Sequence, residues 1–342
     1  MQNFQKFFRK SGWFVELLAI PTTHSHGPRR FLEYHRKLAS AVRAKHADVV
    51  LACDLYSLSA AAWMRRHGQA TLAIYDAREV YTELPSVAQK PFVKMMWKRL
   101  ERHGLAVADV IVVTAPHDLQ AILDVHGFVP RSVLVRNMPW RDTTLVRNRS
   151  LLERYSIPTD AKVFVYIGGL QQGRGLSQFI LSMKGEEFHF LVIGDGDLRA
   201  SLQLLVESSG VADRVHFAGA IGSDEAMIIA AACDVGVVLV EPLSKSYELA
   251  LPSKVFEYMM AGLPILASEM RHVRELFSNE EWIVFADVAN EDSIRNDIQS
   301  VLALTGRSDL REAERTLALD RYHFEADAAQ LLALVESKLS LL

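Results

Sequence analysis

Residues 163–180, VFVYIGGLQQGRGLSQFI, carry the pattern on which the fold assignment depends. A β-branched and aromatic run ends at Gly168 and Gly169, and two further glycines flank Arg174 where helical spacing begins. This order predicts a strand, a tight turn and a helix. Glycines let the backbone approach a ligand, a helix N-terminus attracts phosphate, and an arginine there adds a bidentate contact. The loop therefore indicates a phosphate site, with a plain tight turn as the alternative.

Strand-like runs of the same kind recur along the chain, with helical segments between them. The runs are residues 13–20, 48–53, 71–76, 109–115, 132–137, 162–169, 188–196, 214–219, 234–240 and 263–268. Many are continuous rather than alternating, as expected for parallel strands that are covered on both faces. The fold class predicted from this alternation is α/β, with two doubly wound parallel-sheet (Rossmann-like) domains facing a cleft.

The expected domain boundary lies in VRNMPWRDTTLVRNRS, because proline, tryptophan and scattered charges interrupt the periodic segments there. We expect an N-terminal domain at residues 1–145 and a second domain at residues 146–320. A C-terminal helix at residues 321–342 is expected to cross back to the first domain.

The two parts of the chain differ in charge. Residues 1–145 hold 20 Lys+Arg against 12 Asp+Glu, which leaves 18 against 29 for the rest. This asymmetry suggests an anionic partner for the first domain, with compositional drift as the alternative.

Composition and motif spacing argue against several classes of protein. No stretch reaches the roughly 20 apolar residues of a membrane span, and the charged N-terminus MQNFQKFFRK is not followed by the apolar run of a signal peptide. The glycine spacing matches neither the dinucleotide fingerprint nor the Walker loop, which argues against a nicotinamide enzyme and a P-loop ATPase. Cys53 and Cys233 sit beside apolar runs and are expected to be buried thiols. We expect a cytoplasmic protein with no nucleic-acid partner.

A second phosphate candidate lies in ALPSKVFEYMMAGLPILAS, residues 250–268. Pro252 suits a first helical position and Gly262 suits a C-terminal cap. Lys254 and Glu257 are three residues apart and therefore neighbours on one helix face. The lysine can meet phosphates and the glutamate can accept bonds from a ribose diol. The alternative is a solvated Lys–Glu pair on a surface helix.

Taken together, these stretches resemble the retaining glycosyltransferases of family 4, with the two-domain GT-B architecture, from about residue 48 to the end. The resemblance rests on YDAREVYTE (75–83), LERHGLAVADVIVVTAPHDL (100–119), VRNMP (135–139), YIGGLQQGRGL (166–176), FLVIGDGDLRASL (190–202), VHFAGAI (215–221) and LPSKVFEYMMAGLPILAS. It implies that Arg174 and Lys254 bind the donor's diphosphate, that Glu257 binds its ribose, and that Gly168 and Gly169 lie against the donor.

The resemblance also implies that residues 1–145 form the acceptor-side domain and residues 146–320 the nucleotide-sugar donor-binding domain. It further implies that residues 215–221 line the base and that Tyr247 and Glu248 meet the transferred sugar. Glu248 lies one position from the place of the family's first glutamate, which Leu249 occupies here. The catalytic candidates are Arg174, Lys254 and Glu248. Another departure is Arg78, where many relatives carry a histidine; it faces donor phosphates or an anionic acceptor, or pairs with Glu79 or Glu83.

The implied reaction moves a sugar from a nucleotide-diphosphate sugar to an acceptor hydroxyl with retention, in surface polysaccharide or glycolipid synthesis. The departing phosphate helps to deprotonate the acceptor, so the protein chiefly positions the reactants and stabilises charge. No cofactor other than the nucleotide-sugar co-substrate is expected, and no metal, because the two cations and helix N-termini supply positive charge. The acceptor would be a carbohydrate or a lipid-linked sugar.

The sequence begins inside what the resemblance implies is the first helix, so the first strand of the N-terminal domain is expected to be missing. Either the true start lies upstream or the protein is a degenerate relative.

Residues 89–104 form the candidate partner surface. Its basic residues Lys90, Lys94, Lys98 and Arg102 repeat every four positions, opposite Val93, Met96, Trp97 and Leu100. This helix would place the enzyme as a peripheral protein on the inner face of an anionic membrane. The alternative is an ordinary helix with its lysines in water.

Two other functions fit parts of the pattern. A non-catalytic GT-B relative that binds a nucleotide sugar or a partner protein is favoured by the missing strand and by the shifted Glu248. A GT-B epimerase would need acid and base groups, for which His117 and Asp118 are the candidates.

Overall fold

The apolar runs of the sequence form two parallel sheets, each with helices packed against it. In this computed structural model, the described residues are 2–23, 27–84, 87, 90–243, 245–248 and 251–341. The chain divides into two compact units, Met1–Arg136 with Phe324–Leu342, and Asn137–His323.

The first unit is built on four parallel strands in the order β1-β2-β3-β4. They are β1 (Ala47–Cys53), β2 (Ala70–Ala77), β3 (Val110–Val113) and β4 (Arg131–Leu134). Its helices are α1 (Gln2–Lys10), α2 (Gly27–Val42), α3 (Leu55–Arg66), α4 (Pro91–Leu105) and α5 (Pro116–His126), and a 3-10 turn spans Tyr81–Glu83.

The second unit is built on six strands in the order β10-β9-β8-β5-β6-β7, again all parallel. They are β5 (Val163–Ile167), β6 (His189–Ile193), β7 (Val215–Gly219), β8 (Val235–Val238), β9 (Ile265–Ser268) and β10 (Ile283–Ala286). The helices are α6 (Leu176–Ser182), α7 (Arg199–Ser208), α8 (Ser223–Ala232), α9 (Lys245–Glu248), α10 (Ser253–Ala261), α11 (Arg271–Phe277), α12 (Glu291–Leu304) and α13 (Ser308–Arg321), with a 3-10 helix at Arg149–Tyr155.

Side chains cover both faces of the second sheet, as the continuous apolar runs predict. Along β5, Val163 and Val165 belong to one buried cluster, whereas Phe164 and Tyr166 belong to another. Successive residues of a strand point to opposite faces, so the sheet lies between two apolar layers. The predicted fold class, α/β with two parallel-sheet, Rossmann-like domains, is confirmed.

The last helix, α14 (Phe324–Leu339), belongs to the first unit. Arg136 binds the Asp327 carboxylate in a bidentate way, with Nη2 2.7 Å from Oδ1 and Nε 2.8 Å from Oδ2. The Phe324 ring packs on Phe4 of α1, with ring centroids 5.3 Å apart. These contacts join helix α14 to α1 and to the segment that follows β4.

Two sequence predictions about strands are wrong. Residues 13–20 form no strand, and Phe14 is 95% exposed. A strand needs a partner for its backbone groups, and these residues pair with no described strand. Conversely, β10 was not predicted, because a four-residue apolar run does not by itself distinguish a strand from a helix.

No described helix has both the length and the apolar character that crossing a membrane requires. Cys233 is buried, whereas Cys53 is half-buried.

Candidate donor site

The loop after β5 contacts the first turn of α10 at Gly168. The backbone of Gly168 has a φ of +137°, which side chains other than glycine rarely adopt. A Cβ at this position would lie 2.9 Å from Cε and 3.0 Å from Nζ of Lys254. Gly168 therefore provides the space in which the Lys254 ammonium lies directly over the end of β5.

Lys254 is held against an aromatic ring as well as against the glycine. Its Nζ lies 4.9 Å from the centroid of the Tyr166 ring, a cation–π distance. The Tyr166 hydroxyl donates a hydrogen bond to the carbonyl of Gly169 at 2.9 Å, which fixes the ring below the loop. Burial, together with repulsion from Arg174, lowers the pKa of Lys254 to about 8, and Glu257 opposes both effects.

Tyr258 fastens α10 to β5 and thereby sets the position of Lys254. Its hydroxyl donates to the carbonyl of Val165 at 3.1 Å and accepts a bond from the Ile167 N–H at 3.0 Å. The ring is fully buried and packs against Gly236, where a Cβ would lie 2.2 Å from it. Sequence reasoning missed Tyr258, because its partners lie more than 90 residues away along the chain.

Glu257 lies one turn after Lys254 on the same helix. Burial raises the pKa of its carboxyl, while Lys254 and a hydrogen bond from Ser253 act in the opposite direction. Both Lys254 and Glu257 are half-buried, and among the described residues no ion pair joins them. The alternative of a solvated Lys–Glu pair on a surface helix therefore does not describe this part of α10.

Arg174 occupies the next turn of the glycine-rich loop. Its guanidinium carbon lies 5.2 Å from the centroid of the Tyr247 ring. Gly173, with a φ of +80°, makes this packing possible, since a Cβ there would lie 2.4 Å from Tyr247 Cε2. The guanidinium of Arg174 makes no ion pair with any described residue, so its charge is available to an anion.

The loop around Arg174 is held by a residue that the sequence reasoning did not single out. Glu241 follows β8; its backbone N–H donates to the carbonyl of Gly173 at 3.0 Å. Its carboxylate accepts a bond from the Gly175 N–H at 3.3 Å. Glu241 thus binds the loop on both sides of Arg174 and acts as a positioning residue.

Glu248 is exposed and has a different setting from the two cations. It lines a cavity of about 440 Å³ at the carboxyl ends of β8, β9 and β10. The polar residues lining this cavity are Tyr247, Glu248, Ser268, Glu269, Arg271 and Asp287. Tyr247 and Glu248, the predicted sugar-contacting pair, both border the cavity. Tyr247 also contacts Arg174, whereas Glu248 does not. Leu249 lies outside the described residues.

The remaining sequence candidates lie elsewhere. Of residues 215–221, assigned to the base, residues 215–219 form β7, and β7 ends beside the end of β6, since the Gly194 N–H donates to the carbonyl of Gly219 at 2.8 Å. In the first unit, the Arg78 Nε lies 3.7 Å from Oδ2 of Asp76. Glu83, one of the partners considered for Arg78, instead pairs with Lys94 at 2.7 Å.

Asp118, one of the two acid/base candidates of the epimerase hypothesis, lies in the first turn of α5. It is buried and accepts a hydrogen bond from the Thr114 hydroxyl at 2.8 Å. Burial raises the pKa of its carboxyl to about 6, although that bond acts in the opposite direction. This geometry gives Asp118 a structural role at the start of the helix.

Known proteins resemble this chain in sequence and in fold. The family model of glycosyl transferases group 1 matches residues 148–316. A 2-deoxystreptamine glucosyltransferase of Streptomyces kanamyceticus is 31% identical over 123 residues, 34% of this chain and 30% of the relative. A mannosylfructose-phosphate synthase of Agrobacterium fabrum is 23% identical over 299 residues, 80% of this chain and 63% of the relative. The chain thus spans less than two thirds of each of these curated relatives.

Solved structures share the fold over more of the chain. Sucrose-phosphate synthase from Thermosynechococcus elongatus superposes with a TM-score of 0.78 at 19% identity, covering 95% of this chain and 83% of that one. Anabaena HepE in complex with UDP and glucose superposes with a TM-score of 0.73 at 15% identity, covering 97% of this chain and 89% of HepE. WaaG, a glycosyltransferase involved in lipopolysaccharide biosynthesis, superposes with a TM-score of 0.71 at 14% identity, covering 96% of this chain and 94% of WaaG. The matched model, the similar enzymes and the shared fold confirm that this chain resembles the group 1 glycosyltransferases and has a GT-B fold.

Proposed function

We propose that this protein is a retaining glycosyltransferase that moves a sugar from a nucleotide-diphosphate sugar to an acceptor hydroxyl. One observation carries the proposal. Two half-buried cations, Arg174 and Lys254, lie at the glycine-lined carboxyl end of β5, and neither has an ion-pair partner among the described residues. A diphosphate supplies the negative charge that such a pair of cations lacks.

The electrostatics of the site favour an anionic ligand. Burial and Arg174 both lower the pKa of Lys254, so the empty site disfavours the lysine's positive charge. A bound diphosphate reverses this effect, because opposite charges at short distance favour the charged form of each group. The free N–H groups at the start of α10 add positive potential in the same place. Glu257, one turn into that helix, is our candidate for the ribose hydroxyls.

The same cations would stabilise the reaction. As the sugar–phosphate bond breaks, negative charge grows on the departing diphosphate, and preorganised donors lower the free energy of that state. In our proposal the departing phosphate takes the acceptor's proton on the same face of the sugar, which gives retention. We propose that Arg174 and Lys254 replace a divalent metal, so that turnover persists in EDTA.

The acceptor we propose is a carbohydrate or lipid-linked sugar in surface polysaccharide or glycolipid synthesis. One structural neighbour supports this direction, since WaaG is involved in lipopolysaccharide biosynthesis. Another, HepE, was solved with UDP and with UDP-glucose, which supports the nucleotide-sugar donor. A lipid-linked acceptor would bring the enzyme to the inner face of a membrane.

Calorimetric titration with UDP, GDP and ADP tests the donor site directly. We expect micromolar binding of one nucleotide without metal, and its loss in Glu257→Ala and Lys254→Ala. Glu207→Ala is a matched control, because it removes an exposed carboxylate from α7 of the same unit. Unchanged affinity in both site variants would contradict the donor-site assignment.

The position of Glu248 supports a second candidate, a non-catalytic relative that binds a nucleotide sugar or a partner protein. Glu248 is exposed on a cavity wall, and no described contact joins it to Lys254 or Arg174. Nucleotide binding without release of nucleotide from any donor sugar, across a panel of acceptors, would favour this candidate over the enzyme.

A further inference from the structure

Helix α4 packs on the first unit with a face that differs from the sequence prediction. Trp97 is buried, with its ring centroid 5.6 Å from that of Tyr56 and 6.2 Å from that of Tyr81. Val93 and Leu100 are half-buried beside it. Met96, which was assigned to the same inward face, is instead exposed. The inward face of α4 is therefore an ordinary core contact, as the alternative interpretation held.

The predicted basic stripe is also changed by its surroundings. Lys94 pairs with Glu83 at 2.7 Å, and Arg102 donates to the carbonyl of His126 at 2.8 Å while lying over the Phe128 ring. These two cations are held by the protein itself. Gln89, at the start of the predicted stripe, lies outside the described residues.

Three large apolar side chains of α4 lie in solvent. Phe92 is 73% exposed, Met95 60% and Met96 38%. With about 3.6 residues per turn, these three fall within an arc of about 100° on the helix surface, and Arg99 falls on the same arc two turns after Phe92. Single exposed apolar residues are common, but a group of three on one arc marks an interaction surface.

Unpaired cations lie on and beside this apolar arc, with Arg99 within it and Lys98 about 60° from its edge. Lys90, Lys98 and Arg99 are exposed and form no ion pair with any described residue. The acidic residue of α4, Glu101, is buried and therefore adds no negative charge to the surface. We call the surface formed by Phe92, Met95, Met96, Lys98 and Arg99 the apolar-basic face.

We propose that the apolar-basic face docks on a membrane that contains anionic lipids. Phenylalanine and methionine side chains can enter the boundary between headgroups and acyl chains, while lysine and arginine bind lipid phosphates above it. Each cation near an anionic surface strengthens binding about fivefold. The absence of an exposed carboxylate on the described part of α4 favours an anionic surface over a partner with basic groups. This docking does not depend on the proposed transferase activity.

Flotation with lipid vesicles tests the proposal on the full chain. We expect binding to vesicles of equal parts phosphatidylcholine and phosphatidylglycerol, and much weaker binding to pure phosphatidylcholine. Raising the salt from about 0.1 M to about 1 M shortens the screening length from about 10 Å to about 3 Å and should weaken binding.

Variants separate the two components of the face. Phe92→Ser with Met95→Ser should weaken partitioning about tenfold or more, because both apolar contacts are lost. Lys98→Gln with Arg99→Gln should weaken it about 25-fold on anionic vesicles. Leu204→Ser and Lys184→Gln, both exposed on the second unit, are the matched controls and should bind like the wild type. Unchanged thermal unfolding would show that the variants fold.

Three outcomes would overturn the proposal. The first is a wild type that binds neither kind of vesicle, and the second is a pair of double variants that bind as well as the controls. The third is a wild-type dimer, measured by light scattering, that becomes a monomer in the Phe92→Ser, Met95→Ser variant, since the face would then bind a second copy. Nucleotide titration of the same samples tests the donor site independently.

Discussion

Helices α10 and α4 carry the same Lys-x-x-Glu pattern, Lys254 with Glu257 and Lys98 with Glu101, and the structure uses it in opposite ways. In α10 both side chains are half-buried near the carboxyl end of β5. In α4 the lysine lies in solvent and the glutamate is buried in the protein. The spacing only places the two residues on one side of a helix. The surroundings of that side decide what the pair does.

Two differences explain the contrast. Lys254 lies in the first turn of its helix, at the edge where parallel strands end, and Gly168 leaves room for its side chain. Lys98 lies in the middle of α4, next to the turn that buries Trp97, and points away from the sheet into solvent. A cation that is half-buried without an ion pair indicates a binding site, whereas one in solvent indicates at most a surface.

The largest expected effect concerns Glu101, the inner partner in α4. Its Oε1 accepts a hydrogen bond from the Tyr75 hydroxyl at 2.8 Å, and its Oε2 lies 2.8 Å from Nε2 of buried His126. Glu101→Ala leaves both groups without this partner and should lower the unfolding free energy of the first unit by about 3–5 kcal/mol. Glu101→Gln retains hydrogen-bonding groups and should therefore lower the unfolding free energy clearly less than Glu101→Ala does. Denaturant unfolding followed by tryptophan fluorescence measures both, and equal losses would contradict this account.

The matching change in α10 should affect binding rather than folding. Lys254→Met keeps the length of the side chain but removes its charge, and a hydrogen bond to a charged group contributes about 1.5–3 kcal/mol. Nucleotide affinity should therefore fall about 10- to 150-fold. Lys98→Met, the same change in α4, should leave that affinity unaltered. Calorimetry on the two variants measures the difference, and similar losses in both would remove the distinction between the helices.

The pH dependence of nucleotide binding sharpens the comparison. The pKa of Lys254 is about 8 in the empty site, so the lysine is mostly charged at pH 7 and mostly neutral at pH 9. Affinity should fall as the pH rises, by about tenfold from pH 7 to pH 9, because the neutral amine attracts phosphate weakly. Lys254→Arg keeps its charge throughout this range and should bind with a flatter profile. A wild-type affinity that is constant over the same range would contradict the role of Lys254.

Sequence patterns predicted the parts of the molecule that depend on neighbouring residues. The run from Val163 to Gly169 forms β5 and its turn, and Gly262 caps the end of α10 as predicted, whereas Pro252 precedes the first helical residue instead of occupying that position. Patterns failed where the outcome depends on distant partners. Tyr258 and Glu241 hold the site through bonds to residues more than 60 positions away, which no local spacing reveals.

The same limit applies to surfaces. Phe92 and Met95 were not singled out, because an apolar residue in a helix is usually core, and exposure is decided by what the rest of the unit covers. The prediction of a strand at residues 13–20 failed because no described strand lies beside this apolar run to pair with it. Local spacing made Arg174, Lys254 and Glu257 candidates and the resemblance gave each a ligand, so their roles stay predictions until binding is measured.

The smallest expected effect tests how firmly the Arg174 loop must be held. Glu241→Ala removes the carboxylate that accepts the Gly175 N–H bond, while the backbone bond from residue 241 to Gly173 remains. One hydrogen bond of this kind contributes about 1 kcal/mol, so nucleotide affinity should fall about fivefold. Glu241→Gln, whose amide oxygen still accepts the bond, should restore most of the affinity. Since Glu241 acts through Arg174, its effect should disappear in an Arg174→Ala background; a loss that simply adds to that of Arg174→Ala would show that Glu241 acts on the ligand by another route.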